Sequence, residues 1–313
     1  MPYLPTNFGL LDEGDAEYGR ARVAVLPVPF ERTVSYGHGT ASGPAAIVRA
    51  SQSMELYDEE LGSEPYRAGI ATLPPFLPEA HDLGAALDEL ADEARRHLEA
   101  GKLLVTLGGE HSLTIAPVRA AREVAAARGE AIGVVQFDAH ADLREEYEGT
   151  RWSHAAVMRR VLDLGLPTVA VGLRAVSTPE AELIAERRLP TIWGWELEDG
   201  AATAERFERL LAELPETVYL TFDVDYFDPA LVPATGTPEP GGGRWWPTLA
   251  LLRTLFRRKR VIAMDVVELA PVGALPASDF VAARLVYKAI AYLAEREGGP
   301  GAPPAGRRPP RAG

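Results

Sequence analysis

Residues 134–143 read VVQFDAHADL. An apolar run suited to a strand ends in Asp138, Ala139, His140, Ala141 and Asp142. A strand that served only to fill a core would not finish on two carboxylates and an imidazole at alternate positions. Burial of such groups needs partners, and the other strand ends carry residues that could supply them.

Short apolar runs alternate with helical patterns along the whole chain. VAVLPV (23–28), KLLVTL (102–107), IGVVQF (132–137), TVAVG (168–172), TIW (191–193), VYLTF (218–222) and VIAMDVV (261–267) are strand candidates. They are continuous apolar runs rather than strict alternations, the pattern of strands buried on both faces. The helices between them are well punctuated. Asp82 caps a helix running to about Ala100 and stopped by Gly101, and Ser177-Thr178-Pro179-Glu180 forms a capping box. Ser153 can cap a helix over 154–164, and Ser278 opens a last long helix through about Arg296. Such alternation predicts an α/β fold, a mostly parallel sheet with helices on both faces.

The 313 residues are 47% hydrophobic and 25% charged, which is ordinary globular composition. No Pro/Gly/Ser-rich linker divides the middle, so a single domain over 1–297 is expected. Residues 298–313, rich in Pro, Gly and Arg, are expected to be a disordered tail. Without cysteine there is neither a disulfide nor a thiolate metal site. MPYLPTNFGLLDEGD does not read as a signal peptide, and no stretch approaches the roughly 18 apolar residues of a membrane span. These features fit a cytoplasmic protein. The net charge of −13 disfavours nucleic acid and is compatible with a cationic ligand.

In an open α/β sheet, ligands bind beyond the carboxyl ends of the strands. GGEHS with His111 follows one strand, and DAHAD with Asp138, His140 and Asp142 follows another. DVDYFDP supplies Asp223, Asp225 and Asp228, and DVVELAP supplies Asp265 and Glu268. Parallel strands would put all of them on one edge. Carboxylates that close together resist ionisation, and two divalent cations relieve the conflict. Oxygen donors with a minority of imidazole point to two Mn²⁺ rather than a structural zinc. Metals ~3.5–4 Å apart can lower the pKa of a shared water toward neutrality. Three of the six histidines, His111, His140 and His154, fall in or near these segments, whereas His38, His81 and His97 do not.

Together, GGEHS, DAHAD with a Ser-His ending twelve residues later, DVDYFDP, GTPEPGG and DVVELAP resemble the ureohydrolase (arginase/agmatinase) family, most nearly its agmatinases, from about residue 22 to 295. The resemblance implies a three-layer α/β/α sandwich around a parallel, about eight-stranded sheet. It also implies a binuclear manganese centre and hydrolysis of a guanidino group to urea and an amine. Carried over by position, it makes His111, Asp138, His140, Asp142, Asp223 and Asp225 metal ligands. Asp142 would also move a proton to the leaving amine, His154 would shuttle protons or position substrate, and Glu268 would hold the guanidinium. Glu110 and Asp228 would support the ligands from behind. Ala155 departs from the glycine often found after the histidine. The family also implies a homo-oligomer, a trimer or hexamer; Trp245-Trp246 could sit in such an interface or anchor its own loop.

The stretch LREEYEGTRWSH (143–154) lacks the residues by which arginases hold an amino-acid end. The PEPGG form of the long loop at 231–247 is more like agmatinases. Agmatine, giving putrescine and so serving polyamine biosynthesis, is the first expectation; N1-aminopropylagmatine, then guanidinobutyrate or arginine, follow. EEYEG suits an amine-bearing substrate or is merely a solvated loop. Two readings of other classes remain open: a metal-binding scaffold without turnover, and deacetylation on a related fold with one catalytic zinc.

Overall fold

A computed structural model describes residues 7–299 and 301–302. Eight strands form one parallel sheet: β1 (Val23–Val28), β2 (Ile70–Thr72), β3 (Leu103–Gly108), β4 (Ile132–Phe137), β5 (Thr168–Leu173), β6 (Thr191–Trp193), β7 (Thr217–Asp223) and β8 (Arg260–Val267). Their order is β2-β1-β3-β8-β7-β4-β5-β6. Helices cover both faces, giving the three-layer α/β/α sandwich expected. Alternate residues of β1 show the division: Val23 and Val25 face one hydrophobic core, Ala24 and Leu26 the other. Helices Gly43–Ser51, Gly200–Glu213, Trp245–Arg258 and Ala277–Glu297 close the first core. Helices Leu83–Glu99, Ile115–Ala127 and Val157–Asp163 close the second.

The four strands that carry the chemical motifs are neighbours. β3, β8, β7 and β4 occupy the middle of the sheet, so the late strands return between two earlier ones. Phe137 pairs in register with Phe222, and their rings stack 5.2 Å apart. That register sets Asp138, one residue on, level with Asp223. Asp265 pairs with Thr106 on one side and Thr221 on the other.

Seven of the strands coincide with the apolar runs. β2 is the exception: three residues at the sheet edge are too few to make a periodic signal. The helix over 154–164 begins as a tight turn at His154–Ala156 and becomes α-helical over Val157–Asp163. Ser278 lies inside the last helix, which starts at Ala277, and its hydroxyl instead meets the Ala234 N–H at 3.3 Å. The loop expected over 231–247 ends early, because Trp245 already opens a helix. Trp245 packs on Phe227, while Trp246 is exposed and covers Lys288. Of the segment expected to be a tail, Gly298 closes the last helix at φ 66, and residues 300 and 303–313 lie outside the described residues. No described helix is long and apolar enough to cross a membrane.

The turn after β3 is pressed against the end of β1. Gly109 N–H donates to Val28 O at 3.1 Å, and a Cβ on Gly109 would stand 1.9 Å from Phe30 O. Only glycine fits there. Gly109→Ala should therefore destabilise the fold by about 2 kcal/mol or more, read as a lower urea midpoint. An unchanged midpoint would mean that this turn yields freely.

Candidate metal centre

All eight side chains named as ligands or catalytic groups converge at the carboxyl ends of the central strands. His111, His140, Asp142, His154, Asp223, Asp225 and Glu268 line one cavity of about 420 Å³. Asp138 lies beneath its wall, fully buried. Two sets of ligand atoms, each within 4.8 Å of one another, could hold an ion: His111, Asp138 and Asp142, and Asp138, His140 and Asp225. Asp138 belongs to both. Asp223 Oδ2 lies 3.4 Å from His111 Nδ1, beside the first set.

The ligand loops are fixed by their own backbone. His140 N–H donates to Asp138 Oδ1 at 2.6 Å, Asp225 N–H to Asp223 Oδ1 at 2.8 Å, and Ala139 N–H to Asp225 Oδ1 at 3.1 Å. Gln136 donates to Asp138 Oδ2 at 2.8 Å. Asp142 sits at φ 52 and Glu268 at φ 64, in the left-handed region where side chains are uncommon. Glu268 is held there by its N–H to Gly109 O at 2.8 Å, and its Oε1 accepts His111 N–H at 2.6 Å.

The state of His111 tests whether this arrangement suits a cation. Asp265, fully buried, accepts from Thr114 Oγ1 at 2.8 Å, Tyr219 Oη at 2.6 Å and Thr221 Oγ1 at 2.7 Å. The single Thr221 hydroxyl proton is thus committed, so Thr221 must accept from His111 Nε2–H at 2.8 Å. In the neutral ring the opposite nitrogen, Nδ1, then presents a lone pair to Asp142, Asp138 and Asp223 oxygens at 2.9, 3.2 and 3.4 Å, and their charges favour a proton or a cation there. It has no hydrogen bond of acceptable geometry. A lone pair facing three carboxylates calls for a positive charge between them, and the donor set fits a divalent metal.

The same crowding shifts how these groups hold protons. Burial, and next the Asp142 and Asp225 charges, push Asp138 up to about 7. Burial also drives Glu268 up to about 8, although His111 N–H pulls the other way. For Asp223, burial and then the Asp225 charge raise the pKa well above the carboxylate range. Burial opposes charging of His140, yet the adjacent Asp225 carboxylate overrides it and lifts the imidazole to about 11. Burial would raise Asp225 too, but the His140 charge wins and holds it at about 2.

Glu110 and Asp228, expected to support the ligands, are joined by residues that were not expected. Glu110 is buried and accepts Arg32 N–H at 2.5 Å, Thr33 N–H at 2.6 Å and Thr33 Oγ1–H at 2.7 Å. Thr33 Oγ1 meets His154 Nδ1 at 3.2 Å. Since the Thr33 proton goes to Glu110, the His154 Nδ1–H donates, and Nε2 faces the cavity 3.5 Å from Ser35 Oγ. Asp228 caps the GTPEPGG loop, accepting Ala230 and Gly241 N–H at 2.9 Å each, and these bonds hold its pKa low. Arg174 Nη2 donates to Asp225 O and Glu239 O, both at 2.7 Å. Thr33, Thr221 and Arg174 belong to no motif, and nothing in the sequence marks them. The acidic loop is less involved than EEYEG suggested: Glu145 pairs with Arg159 and Arg160. Its Tyr147 lines the cavity, edge-on to His154.

The model of the arginase family matches residues 21–292. The chain belongs to the arginase family. It is therefore an enzyme, a hydrolase of carbon–nitrogen bonds. It is 41% identical over 298 residues to an N(1)-aminopropylagmatine ureohydrolase of Synechocystis, covering 94% of this chain and 95% of that one. An agmatinase of Pyrococcus horikoshii is 32% identical, with 93% and 95% covered. Among solved structures, the agmatine ureohydrolase of Thermoplasma volcanium superposes with a TM-score of 0.82 at 28% identity, covering 95% of this chain and 97% of that chain.

Two outcomes are expected for metal binding. Thr221→Val keeps shape but removes the acceptor for His111 Nε2, and should lower metal affinity about 10- to 100-fold; titration with Mn²⁺ checks it, and unchanged affinity would refute the His111 tautomer. The second concerns pH. The raised pKa values of Asp138 and Glu268 favour the metal-free fold below their unfolded values near ~4, an advantage lost as pH climbs through about 7 and about 8. That of His140 adds stability below its unfolded value of ~6.5, lost as pH rises through about 11. Metal ions replace these protons. The rise in Tm on adding Mn²⁺ should thus be larger at pH 8.5 than at pH 6; equal rises would contradict it.

Proposed function

We propose that this enzyme hydrolyses the guanidino group of a cationic guanidino amine to urea and an amine, with N1-aminopropylagmatine as first substrate. The observation that carries the reaction is the pair of ion-binding sets sharing Asp138, with Glu268 on the same cavity wall. What favours the substrate is the 41% relative, named for N1-aminopropylagmatine. It moves the longer polyamine ahead of agmatine, the first expectation from sequence; the agmatinase relative keeps agmatine close behind. A guanidino acid is the second reading. Arg144, exposed on the cavity wall with its guanidinium over the Tyr147 ring at 5.0 Å, is the observation that favours it.

Two divalent cations, Mn²⁺ by the character of the donors, would be held by His111, Asp138, His140, Asp142, Asp223 and Asp225, and when bound would supply an activated water near neutral pH. The remaining work falls to the chain. Glu268 accepts the guanidinium, its Oε1 already steadied by His111 N–H. The substrate's charge is welcome beside so many carboxylates. Asp142 takes the proton of the attacking water and passes it toward the departing nitrogen. His154, its Nδ1–H directed at Thr33, offers Nε2 to the cavity as a second carrier of that proton. We read the chain as a single ureohydrolase domain that works in the cytoplasm as a homo-oligomer, a trimer or hexamer.

Urea release by Mn²⁺-loaded protein, compared across N1-aminopropylagmatine, agmatine, guanidinobutyrate and arginine, is the test. Preference for a guanidino amine is expected, and turnover of the acids alone would sink this reading. Glu268→Gln should lower kcat/KM at least about 100-fold while metal content stays at wild-type level. Loss of the metal would move Glu268 out of the substrate's contact shell.

A further inference from the structure

The carboxylates on the cavity wall differ in what already engages them. Asp142, Asp223, Asp225 and Glu268 belong to the centre. Glu180 lines the cavity too, but its Oε1 accepts Leu143 N–H at 3.0 Å and its Oε2 accepts Ser177 N–H at 2.8 Å and Oγ–H at 2.6 Å. Glu239 stands apart. Among the described residues, its carboxylate has no hydrogen bond and no ion pair, and it faces the same space.

Its main chain is nevertheless rigid. Arg174 grips Glu239 O through Nη2 at 2.7 Å and Pro240 O through Nε at 3.0 Å. The same guanidinium holds Asp225 O at 2.7 Å, so one side chain ties this segment to the metal-binding loop. Pro238 and Pro240 flank Glu239 and restrict the backbone further. A half-buried anion on a fixed backbone, left without a partner, is arranged in advance for an external cation.

The chain also limits how far Glu239 can lie from the guanidinium site. A Cβ on Gly236 would lie 3.7 Å from Glu268 Oε2, so Gly236 borders the residue that takes the guanidinium. Gly37 closes over it; a Cβ there would meet Gly236 Cα at 2.8 Å. From Gly236 to Glu239 the chain can span at most about 10 Å, a bound within the reach of an aliphatic chain of several carbons.

We propose that Glu239 binds the ammonium at the far end of the substrate's aliphatic chain, and so selects guanidines that carry a second positive nitrogen. This deepens the guanidino-amine reading above and rests on it for the identity of the substrate. Arg144, which has no ion pair among the described residues, lies over the Tyr147 ring.

The experiment compares wild type and Glu239→Gln, both full-length and Mn²⁺-loaded. The ratio of kcat/KM for agmatine over butylguanidine, which lacks the far ammonium, should fall about tenfold in the variant, through KM. An unchanged ratio would overturn the assignment. A second arm needs no turnover: calorimetric binding of spermidine against butylamine. Spermidine should bind wild type more tightly, and Glu239→Gln should erase most of that advantage. If wild type bound both amines equally, the Glu239 subsite would be refuted whatever the enzyme hydrolyses. Urea from guanidino acids alone, with spermidine still favoured and sensitive to Glu239→Gln, would refute the substrate reading and uphold the subsite.

Discussion

Five carboxylates, those of Asp138, Asp142, Asp223, Asp225 and Glu268, meet at the ends of neighbouring parallel strands, and their mutual repulsion is the constraint around which the rest of the structure is arranged. Buried as they are, they cannot all be ionised without compensating positive charge. In the metal-free chain the compensation is protons, on imidazoles whose burial would otherwise keep them neutral. Divalent cations supply the same charge and leave the imidazoles as ligands. The acidity gathered at the centre is thus what gives it affinity for metal and for a cationic guanidinium.

A second layer of hydrogen bonds sets the direction of each donor. Asp265 accepts hydrogen bonds from three hydroxyls, and through Thr221 it engages His111 Nε2, so that Nδ1 is the nitrogen aimed at the ion site. Glu110 acts in parallel through Thr33 on His154. In both cases a buried acid, placed one hydroxyl away, decides which ring nitrogen carries a proton. Arg174 does related work with main-chain oxygens, joining the β7 loop to the Pro-rich loop over the cavity. Chemistry and substrate recognition therefore share one framework.

Much of this was legible in the chain itself. Continuous apolar runs marked seven of the eight strands, because strands covered on both faces carry no polar alternation. The metal-ligand candidates were legible because each follows such a run directly. What escaped was short or lacked a pattern. β2 has three residues, and a hydroxyl such as Thr33 or Thr221 is indistinguishable in sequence from any other threonine. EEYEG is the more conspicuous acidic stretch, but in the fold Glu145 is paired with arginines, and Glu239 is the acid on the cavity wall without a side-chain partner among the described residues.

By itself, then, the sequence determined the α/β class, the parallel sheet and the ligand-bearing strand ends, since local periodicity and motif spacing are properties of neighbouring residues. The tertiary structure alone decided that β7 and β8 return between β3 and β4. That order brings Asp223, Asp225 and Glu268 within reach of His111 and Asp138, residues separated by more than a hundred positions in several of the pairs. It also decided which acids are spent on backbone and arginine partners and which remain open to a ligand. Such choices depend on contacts between distant segments, and no local pattern records them.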